Sequence, residues 1–177
     1  LARRTPPLVV YVSDEVHNCV DRAVDLLGIG WKQLRKVPTD DRFRVRVDLL
    51  KRAIAADRQA GLKPAIVVGN AGTVNTGAID PLDELADLCA TEGLWFHVDG
   101  AYGLPGILDE RVAPLYDGLE LADSAITDPH KWLNAPFGCG LLYVRRSTLS
   151  QLRMASWGYL GLDPPEIVAG AILEFGR

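Results

Sequence analysis

Two residues of this 177-residue chain stand where they can do chemistry together. Asp99 closes the apolar run Leu94-Trp95-Phe96-His97-Val98-Asp99, and Lys131 lies in Asp128-Pro129-His130-Lys131-Trp132. An apolar run ending in a carboxylate reads as a buried strand that delivers one charge to a sheet edge. A lysine in a Pro-containing turn after a second short strand can reach the same edge. Lysine forms an imine with a carbonyl cofactor, and an acid beside it can pair with a ring nitrogen, the minimal equipment for stabilising a carbanion on a bound heterocycle. Alone, Asp99 reads as a cap or turn residue and Lys131 as a solvated charge. Their shared context makes the pair the better reading.

Elements that end at a common edge are needed to position such a pair, and the hydrophobic pattern supplies them. Residues 8–12 read as a strand. Residues 15–27 read as a helix, with Val16, Val20, Ala23, Val24 and Leu27 at helical spacing and Gly28 and Gly30 stopping it. Residues 34–37 read as an edge strand, 48–60 as a helix closed by Gly61, 65–69 as a strand, and 81–92 as a helix opened by Pro81 and ended by Gly93. Residues 94–99, 124–127 and 140–144 complete the strands, and Ser147 is placed to cap a further helix. The alternating Arg42, Arg44 and Arg46 read as the wet face of a strand, and the Gly- and Pro-rich stretch from Trp157 to Pro165 as a loop. Strands alternating with helices imply βαβ units: an α/β fold with a mainly parallel sheet flanked by helices in three layers. Ligands of such sheets bind beyond the carboxyl ends of the strands. Gly72-Thr73, Asp99 and the Asp128–Lys131 segment all fall there.

Composition narrows the function classes. Apolar content of 48% with 24% charged residues fits a folded globular domain, one domain by length. A net charge of −4 without a basic stripe argues against nucleic acid as the main partner. No apolar run has bilayer-spanning length and no signal-peptide pattern opens the chain. Cys19, Cys89 and Cys139 form neither a metal motif nor a disulfide framework; Cys89 and Cys139, in apolar surroundings, are expected to be core thiols in a reducing, cytoplasmic setting. The start at Leu1 and the stop at Arg177 lead to the expectation of a piece of something longer.

Four segments carry a family resemblance: Tyr11-Val12-Ser13-Asp14-Glu15-Val16-His17, Gly72-Thr73-Val74-Asn75-Thr76-Gly77-Ala78-Ile79-Asp80, His97-Val98-Asp99-Gly100-Ala101-Tyr102 and Asp128-Pro129-His130-Lys131-Trp132. In this order and spacing the chain resembles the group II amino acid decarboxylases, which depend on pyridoxal 5'-phosphate and include the aromatic amino acid, histidine and glutamate decarboxylases. The resemblance implies the large domain of a fold-type-I enzyme, a homodimer with its site at the subunit interface. It implies that an L-amino acid loses carbon dioxide from its imine with the cofactor, through a quinonoid. Lys131 would carry the cofactor imine, Asp99 would pair with the pyridine nitrogen, and His17 would stack on the ring. Ala101 would pack beneath the ring, Thr73 would meet the cofactor from its turn, and His130 would lie near the phosphate or the substrate carboxylate. For His17 the plainer alternative is a helix-start histidine bonded to the backbone, and His97 reads as structural. Departures from the pattern are Val74, where many members have a second threonine, and Asp128, where the aromatic branch has asparagine. A carboxylate aimed at a phosphate is repulsive, so Asp128 is expected to turn away onto backbone. Asp80 is expected to cap the helix that follows it. Tyr159 is a candidate for the mobile catalytic loop. The family's upstream phosphate loop and small C-terminal domain have no counterpart in these residues.

Two other readings stay open. Another fold-type-I enzyme, a carbon–carbon lyase or an aminotransferase, would share Asp99 and Lys131, though His17 and the His130-Lys131 pair favour a decarboxylase. A non-catalytic fragment or pseudoenzyme acting through dimerisation would retain the fold alone. A nicotinamide-binding domain is set aside because no G-x-G-x-x-G follows the first strand. The substrate is not specified by these residues, and Trp95, Trp132 and Trp157 are expected to pack in the core rather than to signal an aromatic substrate.

Overall fold

Strand β1 (Leu8–Ser13) is buried from Val9 to Ser13, on both of its faces, as a run of β-branched and aromatic residues dictates for an inner strand of a parallel sheet. The computed structural model describes residues 5–138, 140–145 and, as backbone, 172–175. Further strands are β2 (Leu34–Val37), β3 (Lys63–Asn70), β4 (Trp95–Asp99), β5 (Ser124–Thr127), β6 (Leu141–Arg145) and β7 (Ile172–Phe175). They form one seven-stranded sheet in the order β2-β1-β3-β4-β5-β6-β7. β1 to β5 run parallel; β6 is antiparallel to β5, and β7 is parallel to β6. The expected α/β architecture with a mainly parallel sheet is what the chain forms, with β2 at the edge as its short run required.

Helices cover both faces. On one face, α2 (Val47–Gln59) and α3 (Leu82–Glu92) bury Val47, Leu50 and Ile54, and Leu82, Leu85, Ala86 and Cys89, against Tyr11, Val67, Phe96 and Val98 of the sheet. These spacings of three and four are the stripe an amphipathic helix needs. On the other face α1 (Cys19–Leu26) sets Val24 over Val10, Val12 and Val68. Gly93 ends α3 in the left-handed conformation (φ 65°), where its lack of a Cβ removes the strain. Burial pushes the Cys89 thiol up to about 12, so it packs as an inert apolar group.

One polar residue interrupts the α2 stripe. Asp57 is buried, and it accepts hydrogen bonds from the Tyr11 hydroxyl (2.9 Å) and from Arg35 Nε and Nη2 (3.0 and 2.8 Å). Burial, then the Asp57 carboxylate, hold the Tyr11 phenol well above its usual range. The network joins β1, β2 and α2 at the sheet edge.

Two expectations are corrected. The helix predicted over 15–27 starts only at Cys19, because residues 14–17 make a turn in which Val16 N–H donates to Ser13 O. The arginine alternation at 42–46 is not a strand face. Asp40 folds it into a turn by accepting the N–H groups of Arg42 and Arg44 and pairing with the Arg44 guanidinium, which hold its carboxyl low, at about 2. Between β4 and β5 the chain forms three short 3-10 segments, Leu104–Leu108, Ala113–Tyr116 and Leu119–Leu121, punctuated by Pro105 and Pro114. Cys139, the Ser147 cap and the loop at 157–165 lie outside the described residues.

Candidate active site

β3 and β4 lie side by side with Asn70 opposite Asp99, and β4 and β5 with Asp99 opposite Ile126. The backbone locks these ends together: Ala71 N–H donates to Asp99 O (2.8 Å), Gly100 N–H to Ile126 O (3.0 Å) and Asp128 N–H to Ala101 O (3.2 Å). Gly72 and Gly103 cross at this edge so closely that a Cβ on Gly72 would sit 2.6 Å from Gly103 Cα. Only glycine allows that approach, and it brings the turn after β3 against the segment after β4.

A cavity of about 250 Å³ opens at this edge, lined by His17, Thr73, Asp99, Ala101, Asp128 and Lys131. Six of the seven residues singled out from the sequence therefore meet. His130 does not line the cavity; its ring packs against Phe137 at 5.0 Å between centroids. Tyr159 lies outside the described residues.

Asp99 is 8% exposed, and its Oδ1 accepts the Ala101 N–H at 3.1 Å, so its own turn aims the carboxylate. Lys131 stands in the single turn α4 (Pro129–Trp132) and is the one Lys or Arg side chain lining the cavity among the described residues. Its Nζ lies 2.8 Å from Asp128 Oδ2. The expectation for Asp128 is thereby corrected: the carboxylate does not turn onto backbone, since an ammonium three residues along the same turn offers a stronger partner. His17 is exposed, and its Nδ1 accepts the Cys19 N–H at 3.2 Å. The plainer reading of His17 thus holds for one ring nitrogen, while the ring still lines the cavity. Thr73 is buried; its hydroxyl meets Thr76 Oγ1 at 2.6 Å and accepts the Ala78 N–H, while Val74, half exposed, also lines the cavity.

Cys19, Asn70, Gly72, Tyr102 and Ile126 also line the cavity and had no assigned role in the sequence. Burial, then the Asp99 carboxylate, push the Cys19 thiol up. Asn70 gave one signal, its place at the end of an apolar strand. Its Nδ2 donates to Ser13 Oγ and Asp80 Oδ2, both at 3.0 Å. Asp80 does not cap α3. It is 1% exposed and accepts the N–H groups of Val45 and Asn70, each at 2.7 Å, as well as the Asn70 amide. Burial holds its carboxyl above the ordinary carboxylate range, and these donors offset only part of that rise. Asp80→Ala is expected to cost about 3 kcal/mol by leaving buried donors unpaired. A denaturant titration showing a loss under about 0.5 kcal/mol would contradict that role.

His97 is structural, as expected: its Nδ1 is 2.7 Å from Ser124 Oγ, which also accepts the Trp95 indole N–H. Trp132, by contrast, is not a core residue. It is 59% exposed and meets Tyr102 edge-on at the cavity rim. Burial lowers the His97 pKa below its ordinary 6.5. The unfolded chain therefore takes up that proton first as pH falls, so this contribution to stability is full above 6.5 and lost below it. The slope ends once pH has fallen below the folded value. His97→Gln is expected to flatten the acid limb of the stability curve by up to about 1.4 kcal/mol per pH unit. An unchanged slope in chemical denaturation at a series of pH values would contradict it.

A carboxylate fixed by its own turn, a lysine amine and a small residue, Ala101, lining one cavity suit a flat heterocyclic aldehyde. The profile described as the pyridoxal-dependent decarboxylase conserved domain matches residues 3–174. The chain belongs to that family. It is 48% identical over 139 residues to the aromatic-L-amino-acid decarboxylase of Bacillus atrophaeus, a span of 78% of this chain and 29% of that protein. The crystal structure of mouse CSAD in its apo form superposes with a TM-score of 0.75 at 39% identity, covering 78% of this chain and 29% of that one. Oryza sativa TDC with PLP superposes at 0.77 and 34% identity, over 82% of this chain and 31% of that one. The fold is thus the fold-type-I architecture of the pyridoxal-dependent decarboxylases, and the chain spans about 29% of the length of the first of these relatives. The cavity's amine and carboxylate fit pyridoxal phosphate: Lys131 would hold its aldehyde carbon and Asp99 its ring nitrogen.

Proposed function

We propose that the full-length protein removes the carboxyl group of an L-amino acid as carbon dioxide, using pyridoxal phosphate. The observation that carries this reading is the convergence of Lys131, Asp99 and His17 on one cavity within a chain of the decarboxylase family. When bound, the cofactor's protonated ring accepts the electron pair left as carbon dioxide departs. Asp99 would pair with the ring nitrogen and so favour its protonated form. Lys131 would hold the aldehyde carbon until the substrate amine takes its place. His17 would lie against the ring and, with one nitrogen committed to the Cys19 N–H, has the other for moving a proton. Incubating the full-length protein with pyridoxal phosphate and a panel of aromatic and acidic L-amino acids tests the reading. Stoichiometric carbon dioxide and amine are expected. Keto acid or aldehyde without the amine would instead indicate an aminotransferase or another lyase, and no turnover with bound cofactor a pseudoenzyme.

The same reading includes a homodimer. Tyr102 of the cavity lining and the Trp132 ring that packs edge-on against it are both exposed, an apolar patch suited to a second copy. A monomer by light scattering at micromolar concentration would contradict it. A reducing, cytoplasmic setting belongs to this proposal, consistent with the free thiols of Cys19 and Cys89. Among the described residues no helix is long and apolar enough to cross a membrane.

A further inference from the structure

Asp128 is placed to do more than accompany Lys131. Its Oδ2 lies 2.8 Å from Lys131 Nζ, and it is the ion-pair partner of that amine among the described residues. Its backbone is fixed from both sides, by its N–H on Ala101 O and by the Lys131 N–H on its own carbonyl (2.9 Å). It is the N-cap residue of α4, yet its side chain makes no capping bond, so the carboxylate is not spent on the helix. The other titratable groups lining the cavity are His17, Cys19, Asp99 and Tyr102. Asp99 is tied to the Ala101 N–H and His17 Nδ1 to the Cys19 N–H.

We propose that Asp128 is a positioning and proton-relay residue for Lys131: it holds the amine at the cavity and takes and returns the proton that must move when the amine joins an aldehyde. The proposal rests on the reading that this cavity takes pyridoxal phosphate. The Lys131 ammonium gives one proton to the Asp128 carboxylate, which frees the nitrogen lone pair. That pair forms the C–N bond as the carbonyl π electrons move to oxygen, and a second amine proton passes to the oxygen. Asp128 then returns its proton to the same oxygen, and the C–O bond breaks to release water. A C=N bond with one proton on nitrogen remains, and Asp128 is again a carboxylate beside it. An asparagine at this position can hold the amine but cannot carry the proton.

The test follows imine absorbance after the cofactor-free full-length protein is mixed with pyridoxal phosphate and, separately, with pyridoxal. Asp128→Asn is expected to slow imine formation about 100-fold with both aldehydes and to flatten its pH profile, with Asp128→Glu recovering most of the rate. In Asp128→Ala, added formate is expected to restore part of the rate. Because the carboxylate is partly exposed and caps nothing, the circular dichroism of all three variants is expected to match the wild type. Equal or faster imine formation in Asp128→Asn would overturn the proposal. So would an effect seen with pyridoxal phosphate but absent with pyridoxal, which would assign Asp128 to the phosphate instead. Failure of the wild type to form an imine with either aldehyde would sink the cofactor reading itself.

Discussion

Lys131→Ala in the full-length protein is expected to lower kcat/KM for decarboxylation by about 10⁴-fold and to remove all borohydride-trappable cofactor. The expectation follows from position. Lys131 is the one Lys or Arg residue lining the cavity that Asp99 also lines, and no second such group lines it to replace Lys131 among the described residues. The fold should survive. The Lys131 side chain is 33% exposed and its ion pair with Asp128 is local, so its loss is expected to change stability by less than about 1 kcal/mol. Steady-state kinetics beside a thermal melt separates the two effects. Activity within tenfold of wild type would remove Lys131 from the chemistry.

Asp99→Asn is expected to lower kcat by about 10³-fold while leaving the cofactor bound and trappable on Lys131. The substitution is isosteric, and the asparagine Oδ1 can still accept the Ala101 N–H that orients Asp99. What it removes is the negative charge that keeps a pyridine nitrogen protonated, and with it most of the ring's capacity to accept electrons. Loss of binding together with loss of rate would instead make Asp99 an anchor. Unchanged kcat would contradict the assignment.

Much of this site was legible because parallel strands buried on both faces write themselves as apolar runs, and the residue that closes each run falls at the ligand edge. Asp99 follows directly from that rule, and Thr73 from the turn just beyond β3. Lys131 follows from the turn after Ser124–Thr127. Direction is not written in a run, so nothing in residues 140–144 announced that β6 would lie antiparallel to β5. The start of α1 was misplaced by its turn: the apolar spacing reaches back to Val16, but Ser13 and His17 take up the local N–H groups and delay the helix to Cys19. Asp80 was misread for a different reason. Its position before Pro81 has the form of a cap, whereas its partner Val45 lies 35 positions away and is brought near only by the fold. Asp128 was within reach of sequence reasoning, because a carboxylate three residues before a lysine in one turn is a local pair.

The most direct measurement of the central claim is peptide mass mapping of the full-length protein after incubation with pyridoxal phosphate and reduction with borohydride. A phosphopyridoxyl group on the peptide carrying Lys131, absent in Lys131→Ala, is the predicted result. An adduct confined to other lysines, or none at all, would contradict the cavity's assignment as the cofactor site.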